Sequence, residues 1–375
     1  MSLPTSAYDL DPAQLADLLA ELGQPAYRSG QVWRWLYRRC AADWSEMTDL
    51  PHSLRAELAE RLSLQPLSLA ARTDSEDGLA TKFLFQLSDG QLIETVLMHY
   101  VDPADAEADP EPGELPAGRH TVCLSTQVGC AMGCVFCATG QMGLLRNLTR
   151  GECLAQLVYC ARLLAAAGET LSNVVFMGMG EPLANWPATW GTVQTLTDAG
   201  GWALSPRRLT ISTVGIVPGI ARLAAEDLPV RLAVSLHAPD DALRQQLVPV
   251  NDVYPLDEIL LACRAYQAAT RRRITFEYVL IAGVNDRPDQ ATALARLLAG
   301  VKSHVNIIPV NPTAGSTLRT PDYATAVAFE TALRSAGLAT TLRMRRGIEI
   351  AAGCGQLRSR EAEGRVGRAL ALAAQ

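Results

Sequence analysis

The pattern of hydrophobic and polar positions divides the chain into a helical opening, a strand pair and a long alternation of strands and helices. Asp11-Pro12 supplies an N-cap and a first-turn proline. Leu15, Leu18, Leu19 and Leu22 then recur at helical spacing until Gly23 ends the run. A second helix is predicted at about 28–39, and a third after Leu50-Pro51 with Leu54, Leu58 and Leu62 on one face. Residues 81–87 and 91–98 read as strands joined at Asp89-Gly90, a favoured hairpin turn pair.

From residue 121 the pattern changes. Predicted strands at 122–126, 173–177, 208–213, 231–236, 274–281, 305–309 and 340–344 are separated by predicted helices near 149–167, 186–199, 216–226, 256–271, 288–299 and 322–336. Such a βα series closes into a full or partial barrel, whose active site lies at the C-terminal strand ends. The expected division is a helical module at 1–68, a hairpin and linker at 69–120, the barrel at 121–360 and a tail at 361–375.

Composition refines this picture. With 375 residues, 49% of them hydrophobic, a substantial core can be buried. No apolar run is long enough to span a bilayer, and the first ten residues lack the basic-then-apolar order of a secretion signal. The net charge of −6 is local, because Asp102, Asp105, Glu107, Asp109, Glu111 and Glu114 share one Pro/Ala-rich stretch free of Lys and Arg. Residues 102–118 read as an acidic, disordered-leaning insert, and the rest of the chain is near neutral. Trp33, Trp35 and Tyr37 stand among Arg34, Arg38 and Arg39. That combination can stack on and neutralise RNA, and reads equally well as a core face with solvated arginines.

Chemistry concentrates at Cys130, Cys134 and Cys137, a C-x3-C-x2-C run. Close thiolates repel one another unless a metal ties them together, and three fall one short of closing a tetrahedral zinc site or an iron–sulfur cubane. A zinc knuckle needs a fourth Cys or His close by, and none lies between Ala138 and Glu152. A ferredoxin-type cluster needs a fourth cysteine too. A four-iron cluster on three cysteines keeps one iron open. Nine unevenly spaced cysteines are no disulfide framework and fit a reducing cytoplasm.

Other motifs fall at predicted strand ends. Gly178-Met179-Gly180-Glu181-Pro182-Leu183 combines close backbone approach with a carboxylate suited to a cation, and on its own a tight turn explains it equally well. Ser212, the Ser235-Leu236-His237-Ala238-Pro239 run and Asn311 offer hydroxyls, an imidazole and an amide to one nucleoside pocket. Glu94 shares a strand face with Leu92, Val96 and Met98, which makes it either a general base or half of an ion pair. Cys123 and the glycine-flanked Cys354 are the conspicuous remaining thiols, whereas Cys40, Cys153, Cys160 and Cys263 lie in apolar runs and read as core.

Taken together, these strings resemble the RlmN/Cfr branch of the radical S-adenosylmethionine (SAM) enzymes, which methylate RNA adenines. The resemblance runs from about residue 10 to 360 and includes Arg146-Asn147-Leu148, Val284-Asn285-Asp286 and Cys354-Gly355-Gln356-Leu357. It departs at the acidic insert and at Ala352-Gly353, where the family usually has two alanines. The fold implied is α/β, a partial (β/α)6 barrel with a small helical N-terminal domain and a linking β-hairpin. The resemblance implies that Cys130, Cys134 and Cys137 hold a 4Fe–4S cluster. Gly180, Glu181, Ser212, Ser235, Leu236, His237 and Asn311 would bind SAM, whose amino group is the cation for Glu181. Cys354 would accept a methyl group, Cys123 would be its redox partner and Glu94 the proton acceptor.

Adenine C2 lies between two ring nitrogens and is too electron-poor to attack the methyl of SAM, so a radical route with two SAM per turnover is required. The implied substrates are 23S rRNA at the peptidyl-transferase centre and tRNA beside the anticodon. A reductase, flavodoxin or ferredoxin would donate electrons to a monomeric, cytoplasmic enzyme. Three rival readings remain: C8 methylation by a Cfr-like enzyme, another kind of radical SAM enzyme, and a non-catalytic RNA-binding iron–sulfur protein.

Overall fold

A computed structural model describes residues 5–100, 118–313, 315–343 and 347–358. The acidic insert, apart from Gly118, and the tail lie outside the described residues.

Among the described residues, ten strands form one sheet. Before it, β1 (Thr5–Ser6) pairs in parallel with β2 (Leu62–Ser63), closing the ends of a module built from α1 (Pro12–Glu21), α2 (Tyr27–Tyr37) and α3 (His52–Arg61). The N-cap expected of Asp11 is present and is half of a capping box: its side chain accepts from the Gln14 amide, and the Gln14 side chain accepts from the Asp11 amide.

Next comes an antiparallel meander of β3 (Leu67–Asp74), β4 (Ala80–Leu87) and β5 (Leu92–Tyr100). Its last strand pairs antiparallel with β6 (Arg119–Cys123). The hairpin predicted as a linker is therefore a sheet extension, and it has a third strand that the sequence pattern hid.

After β6 the chain forms a small ribbon, β7 (Gln127–Cys130) with β8 (Gly143–Asn147), enclosing the short helix α4 (Ala138–Gln141). Helix α5 (Arg150–Ala166) leads to β9 (Asn173–Phe176), and α6 (Trp186–Thr197) to β10 (Leu209–Thr213). Then follow α7 (Val217–Ala224), β11 (Arg231–Ser235), α8 (Asp241–Leu247), α9 (Leu256–Thr270) and β12 (Ile274–Leu280). The series ends with α10 (Pro288–Leu297), β13 (Ser303–Pro309), α11 (Tyr323–Ser335) and β14 (Ala339–Leu342). Strands β6 and β9 to β14 are all parallel, as βα repetition requires. The described strands leave the sheet open, because β14 and β3 are its unpaired ends.

The N-terminal module is docked, with its aromatics inward. Trp33, Trp35 and Tyr37 are buried. Trp33 Nε1 donates to Asp198 at 2.9 Å, and Trp35 Nε1 to Asp49 at 2.6 Å. Arg38 donates to the carbonyls of Gly201 and Ala199. The two tryptophans are thus core and contact residues, not stacking platforms for bases. Cys153, Cys160 and Cys263 are fully buried and Cys40 nearly so, as expected of structural thiols.

Candidate active site

The cysteine loop opens from β7. Cys130 ends that strand, Cys134 and Cys137 follow in the turn, and Cys137 directly precedes α4. All three line one cavity of about 150 Å³ at the C-terminal strand ends. Burial pushes the Cys130 thiol up to about 12, and burial with its two neighbours' charges raises Cys134 further. Three mutually repelling thiols facing one space fit a polynuclear, electron-accepting partner. The three Sγ atoms are not gathered within a mutual 4.8 Å. One zinc ion about 2.3 Å from each sulfur would hold them within about 4.6 Å, so the three thiols as placed are not gathered around a lone ion.

The same cavity collects most of the expected cofactor residues. Gly180, Glu181, Ser212, Ser235, His237 and Asn311 all line it. At Gly180 φ is +103°, and a Cβ there would lie 2.6 Å from Gln127 Cβ, so only glycine lets this loop pass. Glu181 is buried, and its oxygens accept from the amides of Leu183 at 3.0 Å and Val214 at 2.9 Å. Burial raises this carboxyl to about 7. The Thr213 side chain is a third hydrogen-bond partner, and a carboxylate with three donors keeps acceptor capacity for a cation. Leu236 departs from expectation. It is fully buried, its N–H donates to the Glu277 carbonyl, its own carbonyl accepts from Arg244, and it does not line the cavity. As an apolar residue it turns into the core while its neighbours Ser235 and His237 face the cavity.

His237 is held in the left-handed region at φ +63°, a conformation that costs energy in a non-glycine residue. Its Nδ1 accepts from the Val279 amide at 3.0 Å, which leaves Nε2 as the protonated nitrogen, and Phe136 packs edge-on against the ring at 4.7 Å. Desolvation lowers its pKa to about 3, so the imidazole is neutral across the physiological range. Asn311 Nδ2 donates to the Cys354 carbonyl at 3.0 Å, while its buried Oδ1 has no partner among the described residues.

Sequence reasoning missed three supports. Asn285 is fully buried and donates to the carbonyls of His237 and Val279, while its Oδ1 accepts from Ile281. The signal was present in Val284-Asn285-Asp286, but without a role. Gln127 Oε1 accepts the Glu181 amide at 2.8 Å. Arg244 is fully buried and donates to Val214, Ser235, Leu236 and Tyr254 carbonyls and to Asn251 Oδ1. It stitches the β10 and β11 ends to the loop after α8, and nothing in its sequence context marks it.

Cys354 sits where two cavities meet. It lines the cofactor cavity and a second one of about 160 Å³ inside the barrel, and Cys123 lines the second. The thiol is open to these spaces yet enclosed by the surrounding chain, which raises its pKa. The charge of Cys354 also raises Cys123, a second effect after burial, and both residues line the second cavity. The loop is clamped from several sides. Ala138 donates to the Gly355 carbonyl at 2.7 Å and Thr139 Oγ1 to the Leu357 carbonyl at 2.7 Å. Glu94 is buried and paired with Lys82 at 3.0 Å, and its Oε2 accepts the Arg358 amide at 2.8 Å. The ion pair weighed for Glu94 is therefore present, and it anchors the Cys354 loop.

An open parallel βα sheet carrying three cysteines and a nucleoside-sized rim at its C-terminal edge defines a radical SAM enzyme. The comparisons agree and go further. Residues 6–64 match the ribosomal RNA large subunit methyltransferase N-terminal domain, and residues 124–295 match the radical SAM superfamily. The chain is 48% identical to the probable dual-specificity RNA methyltransferase RlmN of Chloroflexus aurantiacus, over 94% of this chain and 92% of that one. It is 45% identical to the ribosomal RNA large subunit methyltransferase N of Nitrosopumilus maritimus, over 95% and 99%. A crystal structure of a radical SAM methyltransferase from Sphaerobacter thermophilus superposes with a TM-score of 0.89 at 50% identity, over 95% of this chain and all of that one. The chain belongs to the RlmN family of radical SAM methyltransferases.

Proposed function

We propose that the protein methylates C2 of adenine in RNA, acting on both large-subunit ribosomal RNA and tRNA, with Cys354 carrying the methyl carbon. The observation that carries this reading is the position of Cys354, shared between the cavity of the cluster cysteines and the cavity of Cys123. Cys130, Cys134 and Cys137 would hold a 4Fe–4S cluster, and Gly180, Glu181, Ser212, Ser235, His237 and Asn311 would cradle SAM, with Leu236 supporting from behind. Together the bound groups supply one-electron chemistry, which an electron-poor ring carbon needs.

The protein's own residues do the rest. Cys354 takes the methyl group onto sulfur by displacement from a sulfonium and presents it to a base turned out of its stack. Once that carbon has given up one hydrogen atom to the bound one-electron groups, it bonds to C2 and tethers the base to Cys354. Glu94, which is held by Lys82 and the Arg358 amide and lines neither cavity, accepts the C2 proton after the Cys354 loop shifts to release it. Cys123 attacks the Cys354 sulfur and forms a disulfide. The electron pair of the broken sulfur–carbon bond goes to the product carbon, which takes a proton to complete the methyl group, and the electron donor then reduces the disulfide to restore both thiols. Gln127, Asn285 and Arg244 hold the rim rigid while this happens. The partners are ribosomal RNA, tRNA and a flavodoxin, ferredoxin or reductase as electron source, and the enzyme works as a cytoplasmic monomer. Among the described residues no helix is long and apolar enough to cross a membrane.

The test is anaerobic incubation of cluster-loaded protein with SAM, a reductant and each RNA, followed by nucleoside analysis. Formation of 2-methyladenosine supports the reading. 8-Methyladenosine, or no methylated nucleoside, overturns it.

A further inference from the structure

We propose that His99, His120 and Glu169 form a binding site for one divalent transition-metal ion of the zinc type, separate from the cysteine loop. The ladder between β5 and β6 sets His99 directly opposite His120. Neither amide bonds across that pair: His99 donates to Leu79 and His120 to Ser172 Oγ. Opposed residues of that kind bring their side chains closest in an antiparallel ladder. The rings meet with their Nδ1 atoms 2.9 Å apart.

Glu169, in the turn between α5 and β9, brings a carboxylate oxygen to 3.3 Å from His120 Nε2. One ligand atom from each of the three lies within 4.8 Å of the others, and among the described residues this is the group of metal-ligating side chains so gathered. Two imidazoles and a carboxylate are a donor set for zinc, with a position left for water.

The surroundings suit an ion. His120 is buried, and its backbone is fixed on both sides by Ser172, which receives the His120 N–H and donates its own to the His120 carbonyl. Glu169 is exposed, so the site has an entry path. Its placement gives it a consequence. Along β6, Cys123 lies three residues beyond His120, and Glu94 lies five before His99 on β5. An ion here would fix the register of the two strands that carry those groups.

The test uses cluster-loaded protein equilibrated with Zn2+ and freed of loose metal by gel filtration. We expect one zinc per chain beyond the iron, and a Zn K-edge spectrum with nitrogen and oxygen neighbours only. His99→Gln and Glu169→Gln should each weaken zinc binding on the order of tenfold or more, since loss of even an outer-sphere partner costs that much. Glu169 is exposed, so its substitution decides the matter if His99→Gln folds poorly. No retained zinc, sulfur in the zinc shell, or binding unchanged in both variants would overturn the proposal.

Discussion

The Asn311 side-chain amide holds the Cys354 carbonyl at 3.0 Å, so a residue of the cofactor cavity also positions the proposed methyl carrier. The approach depends on Gly353, where a Cβ would lie 2.7 Å from Asn311 Nδ2. Asn311→Ala should remove this bond at a cost of about 1 kcal/mol and speed amide exchange in the Cys354 loop severalfold. Unchanged exchange there would remove Asn311 from the clamp.

Cys123 and Cys354 should fail in different ways. Cys123→Ala leaves RNA covalently attached to Cys354, because the tether forms and cannot be resolved. Cys354→Ala abolishes methylation while the iron content stays intact. Mass spectrometry of the protein after turnover distinguishes the two, and free methylated RNA from either variant contradicts the scheme.

The resolving step should depend on pH. Burial holds the Cys123 thiol well above its ordinary value, so little thiolate exists near neutrality. Where thiolate is the nucleophile, the rate of disulfide formation rises about tenfold per pH unit between about pH 7 and 9. A flat single-turnover profile would mean that a neighbouring base takes the proton in the same step.

His237 should contribute to acid sensitivity. Its folded value of about 3 lies below the ordinary histidine value, so the unfolded chain binds a proton that the fold refuses. Stability is therefore full above about pH 6.5 and is lost as pH falls toward 3, by about 1.4 kcal/mol per unit. Urea unfolding at pH 7, 6 and 5 should show His237→Gln losing less with acid than the unaltered protein.

Arg244→Met should be among the most destabilising single changes. It would strip donors from four carbonyls and the Asn251 side chain in a buried space, at a cost of about 3–5 kcal/mol. Arg244→Lys keeps the charge without the planar fork and should recover only part of that loss. Equal melting temperatures for all three proteins would refute this.

The βα alternation was legible because its strands are short apolar runs and its longer helices show their own period, whereas the seven-residue α8 was too short to do so. The cysteine loop was legible because its chemistry is packed into eight residues. Strand β3 was not, because both of its faces are largely exposed and Leu67–Asp74 shows no inside–outside alternation. Arg244 and Asn285 were obscure for another reason. Their partners are backbone groups scattered over several strand ends, and local sequence carries no trace of such bonds. Trp33 and Trp35 were ambiguous because an arginine-rich helix looks the same from the sequence whether its aromatics meet RNA or Asp198 and Asp49.

The meander shares a ladder with the first barrel strand, from Val96 opposite Cys123 to Tyr100 opposite Arg119. Shortening the chain to its catalytic half would thus not release a self-sufficient unit. It would bare a row of backbone donors and acceptors along β6, take away the carboxylate that tethers the Cys354 segment, and leave a sticky border inviting neighbouring molecules to pair.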